Sequence, residues 1–265
     1  MKIIIPSKGR SQTIKTHLLF KNKDYYIIVH NDSEKDEYLK NKTIDPERII
    51  VSNQPLGISY QRQWILDNLI KDNEWFITAD DNIERITGLI GLKIQPTRKD
   101  FSKELTTEQF IGICNEMIAI SNINNISYCG FAVVDNYFFR LKKYRYAGYV
   151  ISKLALIKKT GINYDSSILA MDDYGYTAEN LLKYGKVLIN NFVFPVAKHY
   201  QDGGIGNYQE RLSKKIKDCV YLMNKYPELF RYKSKVGCDA KAELQVKFTT
   251  TNQVRQWQKE IFNIN

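Results

Sequence analysis

No apolar run in this chain is long enough to cross a membrane, and the opening Met-Lys-Ile-Ile-Ile-Pro is far too short for a signal peptide. Cysteine is scarce. Cys114, Cys129, Cys219 and Cys238 are widely scattered and form no C-x-x-C pair. They read as free thiols in a reducing cytosol, which sets aside a disulfide framework and a zinc site of that spacing. Histidine occurs three times. There is no low-complexity tract, no Pro/Gly/Ser-rich linker and no internal repeat. These absences leave a cytoplasmic enzyme or nucleic-acid binder as the expected class.

What is present fits one large α/β domain or two small ones: 265 residues, 43% hydrophobic and 26% charged. The net charge is +10, and it is unevenly placed. Residues 1–130 hold 17 basic and 17 acidic side chains, whereas residues 131–265 hold 22 basic and 12 acidic. A neutral half joined to a basic half suggests different partners for each, with a polyanion on the second.

In the first half, short β-branched runs alternate with helical stretches. Residues 2–5, 25–29, 48–51 and 74–78 each read as a buried strand. Residues 59–70 read as a helix, with Ile58, Ile65, Leu66 and Leu69 on one face. This alternation implies a mainly parallel, doubly wound sheet, in which ligands sit beyond the carboxyl ends of the strands. Those ends are Pro6-Ser7-Lys8-Gly9-Arg10, His30-Asn31-Asp32, Ser52-Asn53 and Ala79-Asp80-Asp81-Asn82. Each offers groups for ribose, base, phosphate or metal, although turns favour Asn, Asp, Ser and Gly in any case.

Asp80-Asp81-Asn82 is the strongest of these. Adjacent acids after an apolar strand repel unless a cation lies between them, and hard oxygens of this kind suit Mg²⁺ or Mn²⁺. The same triplet would also serve as an Asx turn or helix cap. Upstream, Gly57 stands at a helix start with Arg62 one turn in, a combination suited to a diphosphate.

Taken together, Ile3-Ile4-Ile5-Pro6-Ser7-Lys8-Gly9-Arg10, Gly57 with Arg62, and Asp80-Asp81-Asn82 resemble the GT-A glycosyltransferase pattern. The resemblance implies a GT-A, Rossmann-like fold with a central, mostly parallel sheet flanked by helices. It implies nucleoside contacts from Pro6, Ser7, Arg10 and Asp32, with Asn31 and Asn53 beside them. Gly57, Arg62, Asp80 and Asp81 would face the donor, and Asp80 and Asn82 the metal. Asn82 stands where a second Asp is usual, so the choice of direct ligand among the three stays open.

Within that class, the IPSKGR opening and the ADDN strand end are most similar to TET/JBP-associated and phage glycosyltransferases of hydroxymethylpyrimidines in DNA. The resemblance covers residues 1–205. It implies a nucleotide-sugar donor such as UDP-glucose, a Mn²⁺ or Mg²⁺ cofactor, a DNA partner, and a host cytoplasm if the chain is phage-encoded.

The expected layout is a catalytic domain over 1–205, with a nucleotide-sugar half (1–130) and an acceptor half (131–205). A basic helical extension, 206–265, would pack on the same domain. Asp172-Asp173 opens a helix that runs through Tyr184 to Gly185. The pair would favour the helix dipole; in GT-A enzymes an acid here can act as general base, which nominates Asp173, with Asp172 as substitute. His199 follows a strand-like stretch (187–193) and stands where the resemblance puts a third metal ligand. Two basic, aromatic-rich segments could meet DNA: Arg140, Lys142, Lys143 and Arg145 in the first, and Arg211, Lys214, Lys215, Arg231 and Lys233 in and after a helix over 207–226. That helix is expected to turn Leu212, Ile216, Val220 and Met223 inward. A transferase acting on polysaccharide, lipooligosaccharide or protein, and a non-catalytic DNA-binding module, are the alternatives.

Overall fold

The computed structural model describes residues 1–89, 102–133, 142–197, 208–232 and 244–246. Arg140, His199 and Lys233, expected above to contact DNA or metal, lie outside them, as does Cys238.

The first unit is strand–helix–strand in character: β1 (Ile3–Pro6), α1 (Thr16–Leu19), β2 (Tyr25–Val29), α2 (Asp32–Leu39), β3 (Ile49–Val51), α3 (Ile58–Leu69) and β4 (Trp75–Ala79). A hairpin-like pair follows, β5 (Ile83–Leu89) and β6 (Ser102–Glu104), and then α4 (Thr107–Ile123). Thr106 and Gln109 close a reciprocal capping box at the start of α4. The remainder is β7 (Tyr128–Phe131), β8 (Tyr144–Arg145), β9 (Leu154–Lys158), α5 (Asp172–Tyr184), β10 (Leu188–Asn190), β11 (Val193–Ala197), α6 (Tyr208–Lys225), β12 (Phe230–Tyr232) and β13 (Leu244–Val246). Among the described residues, no helix is long and apolar enough to cross a membrane.

Eight strands form the central sheet in the order β3-β2-β1-β4-β9-β7-β10-β8. The first four run parallel, β9 is antiparallel to both of its neighbours, and β7 and β10 are again parallel. Alternation along the strands feeds two cores. Ile4 and Ile28 face a layer containing Ile65 and Leu66 of α3, Tyr176 and Leu181 of α5, and Cys219 and Leu222 of α6. Ile3, Ile5, Ile27 and Val29 face the other layer, with Phe110, Cys114 and Met117 of α4. A sheet buried on both faces needs the near-continuous apolar strands that the sequence supplies.

Two expectations change. The stretch 187–193 is two strands: β10 joins the large sheet, while β11 pairs with β5 in a separate three-stranded sheet. Asn190 makes the break, its side chain accepting from the Phe192 N–H to fold the turn. The buried face of α6 is Asp218, Cys219 and Leu222, continued by Tyr226 just past its end, whereas Ile216 and Val220 are exposed. Of the expected stripe, Met223 packs against the core and Leu212 is partly buried; amphipathic spacing misplaces Ile216 and Val220 because the buried face contains an aspartate. The free thiols expected above are observed for Cys114, Cys129 and Cys219, all buried.

In the strand order 3-2-1-4, the chain reverses its winding between β1 and β4. A crevice opens at the carboxyl ends of the strands at such a point.

Candidate functional site

A cleft of about 440 Å³ occupies that crevice. Its wall from β1 is Pro6, Ser7, Lys8 and Arg10; from the end of β4 come Asp80, Asp81 and Asn82. The start of α3 contributes Gly57 and Arg62, the start of α5 contributes Asp172 and Asp173, and α6 contributes Arg211 and Lys214.

Asp81 holds the two strand ends together. It is buried, accepts from Ser7 Oγ at 2.6 Å, and forms an ion pair with Arg10. Tyr38 OH lies 2.6 Å from Ser7 Oγ and accepts from the Arg10 N–H at 3.1 Å. The loop after β1 is thus pre-shaped before any ligand arrives. Asp80 turns the other way: 40% of its side-chain surface opens toward the cleft. Desolvation by the surrounding protein pushes its carboxyl up to about 6; Asp81 and Asp172 add to the rise, and Arg62 opposes it.

Arg62 and Asp172 form a buried ion pair, each side chain only 6% exposed. The same guanidinium reaches Asp80 Oδ1 at 3.4 Å and donates to the Ser152 carbonyl at 3.3 Å. Burial works against the Arg62 charge, but Asp172, Tyr164 and Asp80 outweigh it and hold the guanidinium above its ordinary range. One arginine, 110 residues before Asp172 in sequence, therefore ties the acid after β4 to the acid that opens α5.

Asp172 is committed to that pair, whereas its neighbour Asp173 is only partly buried. Tyr149 OH donates to Asp173 Oδ2, and the Tyr174 N–H donates to Oδ1 at 3.0 Å. Burial, reinforced by the Asp172 charge, moves the Asp173 carboxyl well above the usual carboxylate range. Tyr149 stacks on Tyr174 with ring centroids 3.9 Å apart, which fixes the donor hydroxyl.

Gly57 precedes α3 with φ of +152°, a backbone region that side chains avoid, and a Cβ there would come within 3.2 Å of the Tyr60 ring. The helix begins without a side-chain cap, so its first N–H groups face the cleft unclaimed by a capping residue.

Several expected residues fall elsewhere. Asn31 caps α2 by accepting from the Glu34 N–H, Asp32 lies exposed in the first turn of that helix, and neither lines the cleft. Asn53 sits in a left-handed turn outside the lining. Lys142, Lys143 and Arg145 lie at or beside the edge strand β8, four strands from β4 and so about 19 Å away at ordinary strand spacing. Lys143 is paired with Glu116 at 2.7 Å. Lys215 and Arg231 are exposed and off the cleft.

Among the described residues, no group of three or more His, Cys, Asp or Glu side chains is arranged to hold a metal ion. Asp80 beside Asn82 is a smaller, all-oxygen set. That suits Mg²⁺ or Mn²⁺, which commonly take one or two carboxylates and complete their shell with substrate phosphates and water.

No protein-family model and no curated protein matches the chain. Solved structures do match, among them the crystal structure of S. aureus TarS, at a TM-score of 0.42 and 9% identity over 84% of this chain. The match covers 39% of the TarS chain, so this chain spans well under half of its length.

Proposed function

We propose that the chain is a GT-A-type glycosyltransferase that moves a sugar from a nucleotide-sugar, such as a UDP-hexose, to a hydroxyl acceptor. The observation that carries this is the crevice between β1 and β4. It brings a pre-shaped β1 loop, an uncapped helix start, a cleft-facing Asp80 and a tyrosine-held Asp173 around one volume. The loop of Pro6, Ser7 and Arg10 suits the nucleoside, and the N–H groups at Gly57 suit the diphosphate. Arg62 serves the donor by holding Asp80 in place.

Asp80 and Asn82 would hold a divalent metal, with His199, outside the described residues, as the further ligand the resemblance implies. Such an ion supplies charge neutralisation at a leaving diphosphate. The acceptor oxygen bonds to the anomeric carbon as the bond from that carbon to the diphosphate breaks. Asp173 takes the acceptor proton at a carboxylate oxygen, and the anomeric centre inverts. The raised affinity of Asp173 for a proton makes it a better base than an exposed aspartate.

The acceptor we propose is the hydroxymethyl group of a modified pyrimidine in DNA. Its support is the basic second half of the chain, from which Arg211 and Lys214 reach the cleft itself. Lys142, Lys143 and Arg145 would then contact phosphates flanking an extruded base. The test is nucleoside mass spectrometry after incubation with UDP-sugars, Mn²⁺, and duplexes carrying hydroxymethylcytosine, hydroxymethyluracil or plain bases. A hexose-sized gain on hydroxymethylated bases alone supports both halves of the proposal. Donor hydrolysis without a DNA product retains the transferase and rejects the acceptor.

A further inference from the structure

The buried aspartate of α6 has a specific occupation. Three consecutive backbone N–H groups point at the Asp218 carboxylate. Leu169 donates to Oδ1 at 3.0 Å and to Oδ2 at 3.1 Å; Ala170 and Met171 donate to Oδ2 at 2.6 and 3.0 Å. Successive amides aimed at one point form an anion-binding nest, and a carboxylate only 1% exposed is tolerated there because the nest satisfies it.

Those amides immediately precede Asp172 and Asp173. Met171, at the cap position of α5, supplies no side-chain cap of its own. The opening of that helix is therefore set by a residue from a different helix. The opposite side of the same backbone is also pinned, since Ser59 Oγ donates to the Ile168 carbonyl at 2.5 Å.

Further along α6, Tyr221 OH and Lys225 Nζ both bond Asp165 Oδ2, at 2.7 and 2.8 Å. Positions 211, 214 and 218 follow the i, i+3, i+7 spacing of one helical side. The helix that brings Arg211 and Lys214 to the cleft thus also grips the backbone leading into Asp173.

We propose that Asp218 is a positioning residue for sugar transfer: by fixing the 169–171 backbone it sets the aim of Asp173 at the acceptor hydroxyl. This rests on the transferase proposal above. Asp218 touches no substrate; it acts through the chain between Leu169 and Asp173. Displacing a reacting group by about 1 Å can cost on the order of 100-fold in rate, so the clamp has leverage.

The experiment compares Asp218→Asn with Tyr221→Phe in the full chain. Asn keeps the shape but presents an amide to a nest of N–H donors. Tyr221→Phe loosens α6 at Asp165 and leaves the nest intact. Each protein is assayed for kcat, UDP affinity, melting temperature and hydrogen exchange at the 169–171 amides. For Asp218→Asn we expect faster exchange at those amides and a roughly 10- to 100-fold fall in kcat, with UDP affinity within about threefold. For Tyr221→Phe we expect a lower melting temperature with kcat within about twofold. If Asp218→Asn does not fold, Asp218→Ser, which leaves room for a water, carries the same expectations.

Unchanged kcat in Asp218→Asn despite faster exchange overturns the proposal, as does a fall in kcat that tracks melting temperature equally in both variants. A wild-type protein inert toward every UDP-sugar, with exchange still accelerated in Asp218→Asn, overturns the transferase proposal and separates that failure from the existence of the clamp.

Discussion

Replacing Arg62 by methionine removes the guanidinium between Asp172 and Asp80 while keeping most of the side-chain volume. Asp172 is then a carboxylate of 6% exposure without its ion-pair partner. Removing one member of a buried pair costs about 3–5 kcal/mol, because the remaining charge stays desolvated. For a chain of this size each kcal/mol lowers the melting temperature by about 2–4 °C, so a fall of about 6–20 °C is expected near neutral pH. Exchanging both partners, Arg62→Met with Asp172→Leu, leaves no buried charge at this pair and should recover most of the loss. Calorimetry of the two single variants and the double variant near neutral pH measures all of this. A single-variant cost below about 1 kcal/mol, or a double variant whose loss is the sum of the singles, would refute the buried bridge as the link between β4 and α5.

Asp173→Asn should lower kcat by roughly 10²–10⁴-fold with UDP affinity kept. In the wild type kcat should rise with pH as the elevated Asp173 carboxyl ionises, and the Asn variant should lack that limb. The stability sign is opposite. From the ordinary aspartate pKa of about 4 upward to the raised value, the folded state holds the extra proton, so unfolding free energy falls as pH rises, and Asp173→Asn should flatten that slope. Gly57→Ala forces a side chain into φ of +152° against the Tyr60 ring, and should cost about 1–3 kcal/mol in thermal unfolding while weakening UDP binding in titration calorimetry. Chelating divalent cations should suppress UDP binding, Mn²⁺ should restore it, and Asp80→Ala should abolish the restoration; UDP binding indifferent to chelator would reject a metal at Asp80.

The parallel half of the fold was legible because its strands are brief apolar runs punctuated by turn residues. Residues 25–29 form β2 with the expected bounds, and α5 ends at Gly185, which adopts φ of +71°. The antiparallel insertion of β9 was not legible, since Leu154–Lys158 is an apolar run that either direction of pairing would bury. The capping box of Thr106 and Gln109 is written in the sequence as a T-x-x-Q start for α4. The strand-end residues that meet at the cleft were visible as a set, because parallel sheets gather carboxyl ends. Which acid does what was not visible. Asp172 and Asp173 are adjacent in sequence, and only the long-range contacts to Arg62 and Tyr149 separate an ion-paired acid from a cleft acid. Asn31 had two chemically sound roles, and in the structure it caps a helix. Asp218 left one trace, an acid amid the apolar positions of α6, which helical periodicity discards as noise.

The most direct test of sugar transfer is product formation itself: mass spectrometry of nucleosides from hydroxymethylated duplexes incubated with UDP-glucose and Mn²⁺, with wild type beside Asp80→Ala and Asp173→Asn. A hexose-sized gain that appears with wild type and is lost in both variants is the predicted result. A gain that survives both substitutions, or no donor turnover by the wild type with any UDP-sugar, would contradict a transferase built on this cleft.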